Sequence, residues 1–271
     1  MKSFIADKKQ KLIKLALEKI ENLSYATLQK SLRAKDVKVN GVRVKSDLTL
    51  SVGDKVEIYF KQTAVIKYAV LFRDENILVI NKKSGYTSES VFEDISAKEK
   101  AFFFHRLDRN TDGVMIFALN EDAEKELLSG FKNRTFDKKY KATVYGKVTP
   151  KTAMLTAYLL KDAETAKVQI FDNEIKGSVQ IRTGYEVIKE DQEPSELLVT
   201  LYTGKTHQIR AHLAHIGHFI VGDGKYGDNR INERLCVKEQ MLTAYSLTLR
   251  FNKETKLAYL DGKKFTVDGE N

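Results

Sequence analysis

The sequence predicts an α+β protein in two parts, and three observations carry that prediction. The hydrophobic pattern changes from helical to alternating within the first sixty residues. Beyond them, apolar strand-like runs are joined by connections too varied for a regular alternation of strand and helix. The excess of positive charge is concentrated in the first part. With 271 residues, 42% hydrophobic and 31% charged, the chain can bury a real core, and its two prolines and fifteen glycines leave no room for long flexible linkers. Collagen, a disulfide scaffold and a coiled coil are excluded.

From Lys8 to Leu23, the residues Leu12, Ile13, Leu15, Ala16, Leu17, Ile20 and Leu23 recur at helical spacing with lysines opposite, which predicts one amphipathic helix. Ser24 is placed to cap a second helix running to about Leu32. Val37, Val39, Val42 and Val44 then flank Asn40-Gly41, the pattern of a two-residue hairpin whose turn needs positive φ. A further strand, Lys55 to Lys61, follows the turn residues Gly53-Asp54. A boundary is expected around residues 62 to 66. After it, strands are expected at Val70–Phe72, Ile77–Ile80, Val114–Leu119, Tyr140–Tyr145, Val179–Ile181 and Leu197–Tyr202. Helices are expected at Glu121–Phe131 behind an Asn120 cap, and near Ile209–Ile216.

Lys and Arg number 46 against 37 Asp and Glu, a net charge of +9, and residues 1–62 hold 14 of the basic and 7 of the acidic side chains. That segment therefore supplies +7 of the excess, and its natural partner is a dense polyanion, because bound cations release condensed counterions. The single cysteine, Cys236, cannot form an internal disulfide or a cysteine zinc site, fits a reducing compartment, and is expected as a buried structural thiol. MKSFIADKKQ lacks the apolar core of a signal peptide, and no stretch approaches the ~20 apolar residues that cross a bilayer, so a cytoplasmic protein without a membrane partner is expected.

Three stretches could carry chemistry. The first, Phe104-His105-Arg106-Leu107-Asp108-Arg109-Asn110-Thr111-Asp112-Gly113, sets a polar cluster between two apolar runs. Flanking guanidiniums favour a carboxylate in its ionised form, which suits Asp108 to the part of nucleophile or anchor; an Asp capping a turn is the structural alternative. Asp108 and Asp112 also have the look of a glycosidase pair, but Gly113 and the polar run predict a loop, which leaves their separation unset. The second stretch, Leu201 to His218, ends a strand, turns at Gly204 and begins a helix near Thr206, so free backbone donors converge there. Four of the five histidines lie in it, and a metallohydrolase using His207, His212 and His215 is weighed against histidines that pack or bond locally. The third, Gly222-Asp223-Gly224-Lys225-Tyr226-Gly227, satisfies a dinucleotide fingerprint literally but lacks the surrounding strand–helix–strand unit, so a glycine-rich turn is expected.

Together these stretches resemble the RluA-type pseudouridine synthases from about residue 68 to 250. His105 to Arg109 with Thr111 and Gly113 is similar to that family's HRLDRxTSG loop; Leu201 to Gly227 is similar to its L-x-TGRTHQIR-x-HLAHIGHPI-x-GD-x-x-YG motif. Lys139-Tyr140-Lys141-Ala142 with Gly146 is similar to its K-x-Y-x-A motif. This chain has Asp112 in place of serine, Lys205 in place of arginine and Phe219 in place of proline, and Val79 to Gly85 lacks the usual proline. Residues 1–62, above all LRAKDVKVNGVRVKSDLTLSVGDKVEIY, resemble the S-four-type RNA-binding domain.

The resemblance implies a mainly antiparallel sheet in a catalytic domain at 66–271, with a central RNA-binding cleft, and a small α/β RNA-binding domain at 1–62. It implies isomerisation of uridine in RNA, large-subunit ribosomal RNA first and transfer RNA second, by a monomer that uses no cofactor or metal. By the same analogy Asp108 is the catalytic carboxylate, Tyr140 stacks on the base or takes a proton, and Arg210 orders Asp108. Arg106 fills the space of the extruded nucleotide. Arg109, Lys205, His207 and Gln208 join it in binding RNA, as do Arg33, Lys35, Lys38 and Arg43 of the first part. The rival of another class is a non-catalytic RNA- or ribosome-binding protein.

Overall fold

Helical periodicity and an Asn-Gly turn organise the N-terminal unit of the computed structural model, which describes residues 1–20, 23, 25–60, 66–162, 167–189 and 193–269. Two compact units divide the chain, Met1–Val65 and Ile66–Asn271. The first contains β1 (Lys2–Ile5), β2 (Gln10–Lys11), α1 (Leu12–Lys19), α2 (Tyr25–Arg33), β3 (Val37–Val39), β4 (Val42–Val44), β5 (Thr49–Leu50) and β6 (Lys55–Ile58). The expected helix from Lys8 to Leu23 is shorter, because its entry is fixed by distant partners. The Leu12 amide donates to the Leu48 carbonyl at 2.8 Å and the Ile13 amide to Asp47 Oδ1 at 3.0 Å, while β2 before them pairs with β5. These bonds satisfy two of the donors a helix leaves free at its start. Ser24, the expected cap of α2, lies outside the described residues, as does Lys61.

Asn40 and Gly41 adopt φ of 51° and 82°, the left-handed pair a tight hairpin between β3 and β4 requires. The sheet order is β1-β6-β3-β4, antiparallel throughout. Leu12, Leu15, Ala16, Leu28, Leu32, Val37, Val56 and Ile58 form its dry core. β1 was not expected: four residues with one turn signal nearby carry too short a pattern to read.

The second unit contains β7 (Tyr68–Arg73), β8 (Ile77–Lys82), α3 (Ser88–Ser96), β9 (Asp112–Ala118), α4 (Glu121–Asn133), β10 (Asp137–Val144), β11 (Thr152–Lys161) and β12 (Val168–Phe171). It continues with β13 (Val179–Lys189), β14 (Ser195–Leu201), α5 (Gln208–His215), α6 (Asn229–Arg234), β15 (Leu242–Thr248) and β16 (Lys264–Thr266). Asn120 caps α4 as expected, its Oδ1 accepting from the Ala123 amide at 3.0 Å, and Glu121, Asp122 and Glu124 lie at the helix's positive end. Cys236, expected to be buried, is exposed, on a residue of φ 56° just past α6. Among the described residues no helix is long and apolar enough to cross a membrane.

One ten-stranded sheet runs β12-β11-β13-β14-β10-β15-β9-β8-β7, with β16 added beside β15. Every pairing named between its strands is antiparallel except β9 with β15, which is parallel. The sheet is thus two antiparallel halves joined at a parallel seam. Ile77, Val79, Ile116, Leu247 and Phe265 pack with Leu127 of α4, and Leu78, Ile80, Met115 and Phe117 pack with Val91 and Ile95 of α3. Alternate residues of the same strands serve the two layers, so β8 and β9 are apolar almost throughout.

At the seam the chains approach closely. Gly113 has φ 117°, and a Cβ there would lie 2.3 Å from the Ala244 carbonyl oxygen. Gly113→Ala should therefore strain the backbone and force β9 from β15, lowering unfolding free energy by about 3 kcal/mol. The shift of the urea midpoint measures it, and a change within ±0.5 kcal/mol, of the size of a neutral surface substitution, would contradict this account.

Candidate active site

The loop before β9, the inner face of β10 and the start of α5 converge on one groove of about 580 Å³ beside the seam. Asp108, Tyr140 and Arg210 all line it. Asp108 is carried by an irregular loop whose backbone is pinned on both sides. The Ser88 hydroxyl donates to the Leu107 carbonyl at 2.9 Å and accepts from the Leu107 amide at 3.0 Å. On the other side, Lys82 Nζ donates to the Arg109 carbonyl at 3.2 Å and to those of Tyr86 and Lys83 at 2.8 and 3.1 Å. Lys82 is fully buried, and burial drops its ammonium to about 8, with Asp112 and Asp108 opposing.

Tyr140 sits at a register irregularity where β10 meets β15: Lys139 pairs with Ser246 but Lys141 with Thr243, leaving an extra β15 residue opposite Tyr140. Such bulges re-aim a side chain next to a site. Burial, with the Asp108 carboxylate nearby, pushes the Tyr140 phenol up, so it remains protonated at neutral pH.

The charge facing Asp108 does not come from its sequence neighbours. Arg106 pairs with Glu89 at 2.9 Å on the groove's exposed lip, and Arg109 turns away, its Nε donating to the Gly85 carbonyl at 3.0 Å. The partner is Arg210, whose Nη1 lies 3.0 Å from Asp108 Oδ2. Arg210 is in turn gripped from behind, Nε and Nη2 donating to the two oxygens of buried Asp223 at 2.7 and 2.9 Å. Burial alone would raise the Asp223 carboxyl, but the guanidinium and the amides of Lys225 and Tyr226 outweigh it and hold the group below its ordinary value. Burial works against the Arg210 charge too, and the two carboxylates more than restore it.

The supposed dinucleotide fingerprint is the turn that delivers Asp223. Gly222, at φ 79°, allows the Glu239 carbonyl to approach within 1.9 Å of where a Cβ would stand. Tyr226 of the same turn lays its ring 5.2 Å from the Arg210 guanidinium, and its hydroxyl meets His207 Nδ1 at 2.9 Å. His207 Nε2 then faces Asp108 Oδ2 at 3.9 Å, and burial lowers its imidazole against the opposing pull of the Asp108 carboxylate.

The other expected site residues divide. Lys205 lines the groove and is exposed. Gln208 is buried and its amide is used internally: Oε1 accepts from the Thr203 hydroxyl at 2.8 Å and from the Lys205 amide, while Nε2 donates to Thr183 and the Arg182 carbonyl. It braces the turn before α5 and is also one of the residues that line the groove. His207, His212 and His215 go to separate partners, Tyr226, Thr183 and Asp172, and among the described residues no three His, Cys, Asp or Glu side chains are placed to hold a metal. In the N-terminal unit Arg33 and Lys35 are exposed, Lys38 lies 5.4 Å from the Tyr59 ring centre, and Arg43 donates to the Lys35 carbonyl at 2.8 Å.

The RNA pseudouridylate synthase model matches residues 76–215, just over half of the chain and the span that holds Asp108, Tyr140 and Arg210. The chain belongs to this family. Among curated relatives of this pseudouridylate synthase is the Vibrio cholerae ribosomal large subunit pseudouridine synthase C, 27% identical over 241 residues that cover 79% of this chain and 75% of the relative. The Escherichia coli protein of the same name is 28% identical over 242 residues, 80% and 76% of the two chains. The solved structure of human RNA pseudouridylate synthase domain containing 1 shares the fold with a TM-score of 0.62 at 24% identity, over 72% of this chain and 84% of that one.

Sequence reasoning missed Asp223, Lys82 and Ser88. The signal for Lys82 was a lysine closing the apolar run Ile77–Ile80; for Asp223 it was an acid inside a glycine turn. Asp223→Asn should release Arg210 and cost about 3 kcal/mol of stability at pH 7, since breaking a buried ion pair strands its partner. The Asp223 carboxyl is held low in the folded chain, so its contribution is complete above the ordinary carboxylate value, declines as pH falls below that value, and is gone only below the lowered value of the folded chain. Urea titrations of wild type and variant should differ most at pH 7, and the gap should narrow as pH falls below the ordinary carboxylate range; a gap that widens in acid would contradict the assignment.

Proposed function

We propose that this enzyme isomerises uridine in large-subunit ribosomal RNA, with Asp108 as the catalytic carboxylate. The observation that carries the reading is the Asp108–Arg210 pair, exposed to the groove at one end and anchored by Asp223 at the other. The names of the curated relatives support ribosomal RNA of the large subunit as the substrate. In the reaction the N1–C1′ bond of uridine breaks, the uracil turns, and a C5–C1′ bond forms; the C5 proton leaves and N1 gains one. Loss of the base builds positive charge at the sugar, which an ionised carboxylate stabilises or captures. Arg210 fixes Asp108 in position; Tyr140, protonated, offers a ring for the uracil to stack on and a hydroxyl at the buried end. Extruding the uridine costs a few kcal/mol, offset by stacking and by Arg106, which stands on the exposed lip and would exchange its Glu89 partner for the vacated helix position.

Residues 1–62 act in this proposal as an S-four-type RNA-binding domain that raises affinity without touching the chemistry. Its exposed Arg33, Lys35 and Arg43 supply part of the positive excess.

Two measurements test these assignments. With ribosomal RNA tritiated at C5 of uracil, wild type should release tritium, Asp108→Asn should release none, and Tyr140→Phe should lose about 100-fold in turnover with affinity little changed. No release by wild type would leave a non-catalytic RNA-binding protein. Replacing Arg33, Lys35 and Arg43 by glutamine should weaken RNA binding and flatten its salt dependence by about two to three in log–log slope, turnover at saturating RNA being kept; an unchanged slope would remove RNA binding from this unit.

A further inference from the structure

The groove holds a lysine to which the proposed chemistry gives no part, at the position where the K-x-Y-x-A spacing before Tyr140 and Ala142 places its lysine. Lys138 stands two residues before Tyr140 on β10, so strand alternation puts both side chains on the same face, and both line the groove. Its ammonium is half-buried, 5.6 Å from the Phe131 ring centre and close to the backbone at Gly204. Among the described residues no carboxylate lies within ion-pair distance of it. Among the groove's charged residues, Arg134 at the end of α4 disfavours the Lys138 charge further, Lys132 and Lys205 carry its own sign, and the one lining carboxylate, Asp108, is paired with Arg210.

This arrangement is costly as it stands. A cation withdrawn from water is normally paired, and like charges gathered around it make the cost greater. The contrast with Arg210 is informative: that guanidinium is buried and has two carboxylates. The cost at Lys138 is recovered when an anion enters the groove. The anion must be small enough to reach between β10 and the start of α5, and must present oxygen acceptors to several donors at once.

Resting on the reading of the groove as the RNA site, we propose that Lys138, Arg134 and Lys205 form a subsite for a single phosphodiester group of the RNA strand. That phosphate is the one next to the uridine held between Tyr140 and Asp108, since Lys138 and Tyr140 share one strand face. The subsite fixes the strand's register, so the target base, once extruded, falls over the reacting carboxylate. Lys138 is a positioning residue by this account.

The probe is a single-stranded RNA nonamer rich in uridine, with affinity measured against salt. Lys138→Met keeps the aliphatic packing on Phe131 and should weaken binding about tenfold at low salt, the loss expected for one charge-assisted hydrogen bond. The slope of log affinity against log salt counts phosphates neutralised. The triple variant Lys138→Met, Arg134→Gln, Lys205→Gln should flatten it by about 0.7, the value for one phosphate on a single strand. A loss near 2 would mean three separate phosphates and overturn the shared subsite; no loss would overturn it altogether. Arg134→Gln alone, at an exposed position, keeps the test open if Lys138→Met fails to fold, and should weaken binding severalfold; Lys138→Arg should restore the wild-type slope. On tritiated RNA, Lys138→Met should raise KM about tenfold and keep kcat within about threefold; an equal fall in kcat with KM unchanged would overturn the positioning role. Absence of tritium release by wild type, with the slope change intact, would remove the pseudouridine reading and leave the anion site standing.

Discussion

A guanidinium shared by two carboxylates is the constraint on which the rest of the catalytic unit depends. Arg210 lies mostly out of water, where a lone charge would be prohibitively unstable, and Asp223 neutralises it through two parallel hydrogen bonds. Only because that debt is met from behind can the remaining nitrogen be offered to Asp108 in a groove open to a ligand. Of the two carboxylates, Asp108 is the one with access to solvent. Tyr226 closes the arrangement by covering the guanidinium and holding His207 against the same oxygen.

The backbone is organised to the same end. Two buried side chains, Lys82 and Ser88, together with the amide of Gly85, take up carbonyls or amides of Leu107 and Arg109. A segment without regular structure is thereby as fixed as a strand, which is what preorganised charge stabilisation requires. The cost is a buried ammonium whose bonded acceptors among the described residues are neutral carbonyls, and burial lowers its proton affinity accordingly.

Much of this was legible in the sequence, and the failures have physical causes. The strands of β8, β9 and β14 and the capped helix α4 announce themselves because their signals are local: apolar runs, alternation, an Asn before three acids. Helix α1 was read too long because its start is set by Leu48 and Asp47, which no window around residue 12 contains. Asp108, Tyr140 and Arg210 could be singled out from motif similarity, but the expectation that Arg106 and Arg109 flank Asp108 in space confused adjacency along the chain with contact. Successive residues of a loop point in different directions, and the charge that counts comes from about a hundred residues away. Gln208 illustrates the converse: a polar residue in a functional-looking motif whose amide is wholly used by the fold.

The parallel seam has a bearing on how the molecule comes into being. Thr243 aligns with Asp112 and Ala244 with Gly113, so the two antiparallel halves are sewn together by residues far apart along the chain. A polypeptide emerging from its own synthesis holds Asp108 long before it holds Arg210, and both before the strand that docks the halves. Contacts of such separation form late, after large loops have closed. With the roles proposed for Asp108 and Arg210, each new copy stays inert until β15 has been made and docked against β9.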